Sequence, residues 1–123
     1  MGHKINSRAK GARGERELAA ALKEYGYDCR RGQQYCGANG DADVMGLSGI
    51  HIECKRVERL NIQEAMEQAV RDSGSDRMLF GDELPTIFHR RDRSEWMVTM
   101  RLIDWIELYR KWEASRDLRN AEG

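Results

Sequence analysis

The segment Ile50-His51-Ile52-Glu53-Cys54-Lys55 alternates apolar and polar residues with period two, directly after the glycine-flanked stretch Gly46-Leu47-Ser48-Gly49. Such alternation belongs to a strand with two unlike faces. Ile50, Ile52 and Cys54 fall on one face, and His51, Glu53 and Lys55 on the other. Residues 42–45, before the turn, read as the antiparallel partner. A three-residue loop centred on Ser48 and ending in Gly49 fits a left-handed bulge position. That register sets Asp43 opposite Glu53, on the face that carries Lys55. Two carboxylates about 5 Å apart at Cβ repel each other unless a cation lies between them. A divalent metal with oxygen ligands meets that need, and Lys55 adds a positive charge. Asp41 has the same parity as Asp43 and is the reserve ligand if the register shifts by two.

The rest of the chain frames this hairpin. Residues 12–25 read as a helix with Leu18, Leu22 and Tyr25 on one stripe and Gly26 as its stop. Residues 27–31 form a short strand, and the Gly- and Gln-rich stretch 32–40 a loop. A second helix starts after Asn61, a good N-cap with Glu64 three residues on. Ile62, Ala65, Met66, Ala69 and Val70 make its apolar stripe, and Gly74 ends it. Residues 86–90 and 96–101 look like a strand pair. Leu102, Trp105, Ile106, Tyr109 and Trp112 then share one face of a last helix. The order α-β-β-β-α-β-β-α describes a mixed α/β sandwich rather than a doubly wound unit. A length of 123 residues suits one domain, 1–123, with a flexible basic arm over 1–12 and a frayed polar tail over 115–123.

Glu15 is phased with the apolar stripe of the first helix, whereas Glu17 points toward solvent. A carboxylate phased with a core needs a partner, and the metal cluster is a candidate. The simpler alternative is a first-turn acid facing the helix dipole.

Hydrophobic residues make up 40% and charged residues 34%, which excludes a disordered chain and a membrane protein. No apolar run is long enough to span a bilayer, and the N-terminus lacks a secretory pattern. Cys29, Cys36 and Cys54 are odd in number and form no close pair, so a reducing cytoplasm (bacterial, or of a phage-infected host) is the expected location. Net charge is zero, yet Arg outnumbers Lys sixteen to five and the basic residues cluster. Arg8, Lys10, Arg13, Arg30, Arg31, Arg56 and Arg59 are the candidate polyanion contacts, a basic face on a neutral protein that suits a nucleic acid. Ordinary solvated faces are the alternative. His51 and His89 read as satisfied structural histidines, with phosphate contact as the alternative. Gln68 reads as an exposed helix glutamine, with assistance to the site from the flank of the second helix as the alternative. Trp105, Tyr109 and Trp112 read as core or, with Met97 and Ile103, as a homodimer interface. No glycine-rich phosphate loop is present, so no nucleotide cofactor is expected.

The series Lys10-Gly11-Ala12-Arg13-Gly14-Glu15-Arg16-Glu17-Leu18, then Gly26-Tyr27, Asp43-Val44 and Ile52-Glu53-Cys54-Lys55, resembles the PD-(D/E)xK nucleases. Over residues 8–56 it is most similar to archaeal-type Holliday-junction resolvases and their phage relatives. The resemblance implies a restriction-endonuclease-like mixed central sheet flanked by helices. It implies a metal-dependent endonuclease, using Mg²⁺ with Mn²⁺ as substitute, that resolves four-way or other branched DNA as a homodimer and leaves 5′-phosphate and 3′-hydroxyl ends. Cleavage of flaps, nicks or duplex is the alternative, and an inactive DNA-binding module of the same fold a further one. On this resemblance Asp43 and Glu53 are metal ligands, Lys55 is the third motif residue, Glu15 completes the metal site, and Arg31 lies near the substrate phosphate. Two departures concern the substrate: Gln33-Gln34-Tyr35-Cys36 stands where archaeal relatives often carry a catalytic Ser, and the chain is neutral where they are basic.

Overall fold

The computed structural model describes residues 7–32, 42–74 and 83–122, with side chains over 11–32, 42–74 and 83–121. The elements run α1 (Ser7–Glu24), β1 (Arg30–Arg31), β2 (Val44–Met45), β3 (Ile50–Arg56), α2 (Ile62–Ser73), β4 (Leu84–Arg90), β5 (Met97–Met100) and α3 (Leu102–Glu122). This is the order expected from the sequence, a mixed sheet flanked by helices.

The five strands pair in the order β1-β2-β3-β4-β5. Val44 lies opposite Ile52 in the antiparallel β2–β3 pair, the register in which Asp43 faces Glu53. The turn between them closes through Ile50 N–H donating to Leu47 O at 3.1 Å. Gly46 enters it at φ 135°, where an added Cβ would stand 2.7 Å from Cys29 Cα, so the turn has no room for a side chain. β3 and β4 run parallel, with α2 as the crossover, and β5 returns antiparallel to β4.

Both faces of β3 are covered, as befits a strand with a parallel neighbour. On one face Ile52 joins Leu18 and Ala19 of α1, with Cys29, Val44 and Phe88. On the other, Ala65 and Ala69 of α2 pack against Ile87, the direct neighbour of Glu53. His51 and Glu53 therefore lie beneath a helix, at 0% and 2% exposure, where the sequence pattern alone permits a surface strand.

The element ends differ from the sequence reading. α1 begins at Ser7, so residues 7–12, read as part of an arm, continue the helix. Arg8, Ala9, Lys10, Ala12 and Arg13 are mostly good helix formers. Glu15 thus falls well beyond the first turn, which removes the dipole explanation for it. α1 also crosses close over β3: a Cβ on Gly14 would sit 2.6 Å from Arg56 Cβ. The close crossing lets the next residue, Glu15, enter the interior. α2 matches its reading, with Asn61 accepting from Glu64 N–H and Gly74 in the left-handed region. α3 continues to Glu122, past the expected end near Ser115, with Glu107 and Lys111 paired one turn apart. Lys4, loop residues 33–40 and Asp41 lie outside the described residues, as do the side chains of Arg8 and Lys10.

Candidate functional site

Asp43 sits on the bend that leads into β2. Its N–H donates to Ile52 O at 2.9 Å, and its Oδ2 accepts the Cys54 N–H at 2.9 Å. The side chain thus reaches across to β3 instead of pointing to solvent. Burial pushes its carboxyl up to about 7, and the Glu53 carboxylate pushes the same way. The Cys54 N–H pulls it down, Glu15 raises it further, and Lys55 lowers it. Glu15 from α1 and Glu53 and Lys55 from β3 thus all act on Asp43, at the entry to β2, four residues that the sequence reading placed in one site.

Glu15 is buried, and its Oε1 accepts from Arg31 Nε at 2.9 Å. Arg31, expected near a substrate phosphate, is anchored to this carboxylate while 40% of its side chain stays exposed. Lys55 Nζ donates to Gln68 Oε1 of α2 at 3.5 Å, so Gln68, exposed on its helix as expected, also reaches the lysine of the site. Cys54 packs toward the α1 core, and burial pushes its thiol up to about 12, with Asp43, Glu15, Glu17 and Glu53 adding to the effect. A thiol held protonated in this way is no nucleophile.

Glu17 departs from its reading. It accepts from Arg56 Nε of β3 at 3.3 Å and from Arg90 Nη1 of β4, and Arg56 Nη2 also meets Asp92 Oδ1 at 3.0 Å. The helix phase placed Glu17 off the apolar stripe correctly, but that flank of α1 overhangs two strand ends that carry arginines. Of the other candidate DNA contacts, Arg13, Arg30 and Arg59 are exposed, whereas Arg56 is held in this network. Arg90 and Arg91, not among the expected contacts, line an open cleft of about 540 Å³ with Leu60, His89 and Met97. His89 neighbours Lys55 in the sheet and meets Thr99 Oγ1 at 2.9 Å, a satisfied histidine as expected.

His51 is not satisfied. Neither of its ring nitrogens has a hydrogen-bond partner. Its Nε2 lies 3.5 Å from Glu53 Oε1. Together with Asp72 of α2 these two residues form a group whose ligand atoms lie within 4.8 Å of one another, and no other such group of three occurs among the described residues. Sequence reading missed Asp72. The available signal was its place one helical turn beyond Gln68, on the flank that reaches β3.

On α3, Trp105 and Tyr109 stack at 5.2 Å between centroids, and Tyr109 meets Trp112 at 5.5 Å. Trp105 is 49% exposed and Trp112 50%, so the ladder is not core. No helix among the described residues is long and apolar enough to cross a membrane.

Comparison with curated proteins finds no match. Among solved structures, that of Archaeoglobus fulgidus Hjc, a Holliday junction resolvase from an archaeal hyperthermophile, is similar with a TM-score of 0.48. The two share 20% identity over 74% of this chain and 72% of that one. The family model described as "Phage putative PDDEXK endonuclease" matches residues 6–121, nearly the whole chain. The chain belongs to this family of phage PD-(D/E)xK endonucleases.

Proposed function

We propose that the protein is a divalent-metal-dependent endodeoxyribonuclease that cuts four-way or otherwise branched DNA as a homodimer in the cytoplasm of an infected cell. The observation that carries this reading is the buried Asp43 carboxyl, which burial first and the Glu53 carboxylate next push up to about 7, with Glu15 and Lys55 also acting on it. Three carboxylates on a half-buried site, with one lysine against them, form a hard oxygen donor set that suits Mg²⁺, with Mn²⁺ as substitute. Asp43 and Glu53 would hold the ion and Glu15 would complete the set. When bound, it supplies a lowered pKa for water and offsets charge on the scissile phosphate.

The chain's own groups account for the rest. Lys55, steadied by Gln68, orients the attacking water and stabilises the negative charge that develops on the phosphate as the bond to the leaving 3′-oxygen breaks. The 5′-phosphate and 3′-hydroxyl ends follow from that cut. Arg31, fixed by Glu15 yet exposed at the rim, meets the neighbouring phosphate. Arg13, Arg30 and Arg59 extend the contact along the backbone, and the cleft beside Lys55 adds Arg91.

Resolving a four-way junction takes two symmetric cuts, which favours a C₂ pair over one chain with one site. The exposed Trp105–Tyr109–Trp112 ladder supports such a pairing, because aromatic side chains dominate interface cores. The test is cleavage of an end-labelled four-way junction beside its component duplexes, with Mg²⁺ and with EDTA. Paired nicks across the junction and poor duplex cutting are expected. Equal rates on linear duplex would replace the junction by plain or flapped DNA as substrate, and full activity in excess EDTA would end the metal reading.

A further inference from the structure

We infer that His51, Glu53 and Asp72 form a second cation site, selective for a transition-type divalent ion such as Zn²⁺, Co²⁺ or Mn²⁺ rather than Mg²⁺. It shares Glu53 with the proposed active site but uses neither Asp43 nor Glu15. A carboxylate has two oxygens and several lone pairs, so Glu53 can serve both groups.

Two independent observations carry the inference. First, the ligand atoms of the three side chains already lie within 4.8 Å of one another, although they come from β3 and α2. Second, His51 is fully buried and neither ring nitrogen has a hydrogen-bond partner. Buried polar atoms are almost always satisfied, and leaving one unpaired costs on the order of 1–3 kcal/mol. The Nε2 atom lies 3.5 Å from Glu53 Oε1, a carboxylate of the group, long for a hydrogen bond. A cation between them would satisfy that nitrogen and both carboxylates.

The position of Asp72 adds a physical reason. It lies in the last turn of α2 (Ile62–Ser73), where the helix dipole presents its negative end. A carboxylate there is disfavoured by itself and favoured with a cation beside it. Asp72 is also only half-buried, which leaves a way in from solvent.

The donor set selects the ion. One imidazole nitrogen with two carboxylates suits Zn²⁺, Co²⁺ or Mn²⁺. Mg²⁺ takes oxygen ligands and keeps several waters, which a site lined by a fully buried histidine does not accommodate. The two groups thus sort ions by chemistry, oxygen-only around Asp43 and nitrogen-containing around His51.

The test is equilibrium dialysis of the full chain against Co²⁺ in excess Mg²⁺, with metal counted per chain. Wild type should retain one His51-dependent equivalent. His51→Gln and Asp72→Asn should each weaken it by at least ~10-fold. Asp43→Asn should leave it in place, which separates this site from the proposed catalytic one. Binding by other histidines or thiols is common to all variants and cancels in the comparison. Imidazole ¹⁵N spectra give a second readout: one His51 nitrogen should shift on Zn²⁺ addition and none on Mg²⁺ addition. If His51→Gln fails to fold, Asp72→Asn, half-buried in the last turn of α2, decides the matter together with the spectra. Retention of Co²⁺ by Asp72→Asn at wild-type affinity would overturn the inference. So would a doubly protonated His51 that ignores Zn²⁺. Loss of nuclease activity alone would do neither.

Discussion

Burial and the Glu53 and Glu15 carboxylates hold the Asp43 carboxyl at about 7, despite the Cys54 N–H and Lys55. An unfolded chain would release that proton near pH 4. Below about pH 4 both states keep the proton and Asp43 contributes nothing to stability. As pH rises toward 7 the native state holds a proton that the unfolded state has lost, so stability falls, and above 7 the loss is complete. Asp43→Asn keeps an acceptor for the Cys54 N–H and removes this cost. It should raise the Tm of metal-free protein at pH 8 and leave it nearly unchanged at pH 4. Thermal unfolding in EDTA at the two pH values measures this. A lower Tm for the variant at pH 8 would mean that the carboxylate is stabilised by its surroundings.

At the scale of elements, the hairpin was legible because its register depends on local chemistry. Gly46 and Gly49 fix the turn, period two fixes the faces, and Asp43 against Glu53 follows. The α2 caps, Asn61 and Gly74, were legible for the same reason. What could not be read was set by contacts distant in sequence. Glu17 looks solvent-facing along its own helix, and only the approach of β3 and β4 brings Arg56 and Arg90 to it. His51 looks like an ordinary strand residue, and only the α2 crossover buries it with Asp72. Trp105, Tyr109 and Trp112 share a helix face, but no local signal tells whether that face meets the same chain or another.

The Glu17 network yields a prediction at this scale. Glu17→Gln leaves Arg56 and Arg90 without their shared anion and should cost about 1 kcal/mol of stability, the upper part of the range for partly exposed pairs. Its cleavage rate should stay within a few-fold of wild type. Glu15→Gln should lose at least ~100-fold in rate, the usual size of removing a group from the chemistry. Urea unfolding and single-turnover cleavage of the two variants give the ranking, and a reversed ranking of the rates would put Glu17 in the site.

For the whole molecule, the proposed chemistry and the proposed symmetry occupy different regions. The carboxylates lie where α1, β2 and β3 meet, whereas the aromatic ladder runs along α3, at the other end of the chain. Charge substitution on the ladder should therefore separate the two. The double variant Trp105→Glu, Trp112→Glu should sediment as a monomer at micromolar concentration, where the proposed pairing predicts a dimer for wild type. It should still nick branched DNA once per chain while losing paired cuts. A wild-type monomer would leave the ladder without the role proposed for it.

The most direct test of the central claim is single-turnover cleavage of a four-way junction in Mg²⁺ by wild type, Asp43→Asn, Glu53→Gln and Lys55→Ala, with DNA affinity measured on the same samples. The proposed site predicts that each variant loses at least ~100-fold in rate while its affinity for the junction stays near that of wild type. Three variants that cut at near wild-type rates would place the chemistry elsewhere in the chain. A wild-type protein that binds the junction but never cuts it in Mg²⁺ or Mn²⁺ would make the fold a DNA-binding module and contradict the claim outright.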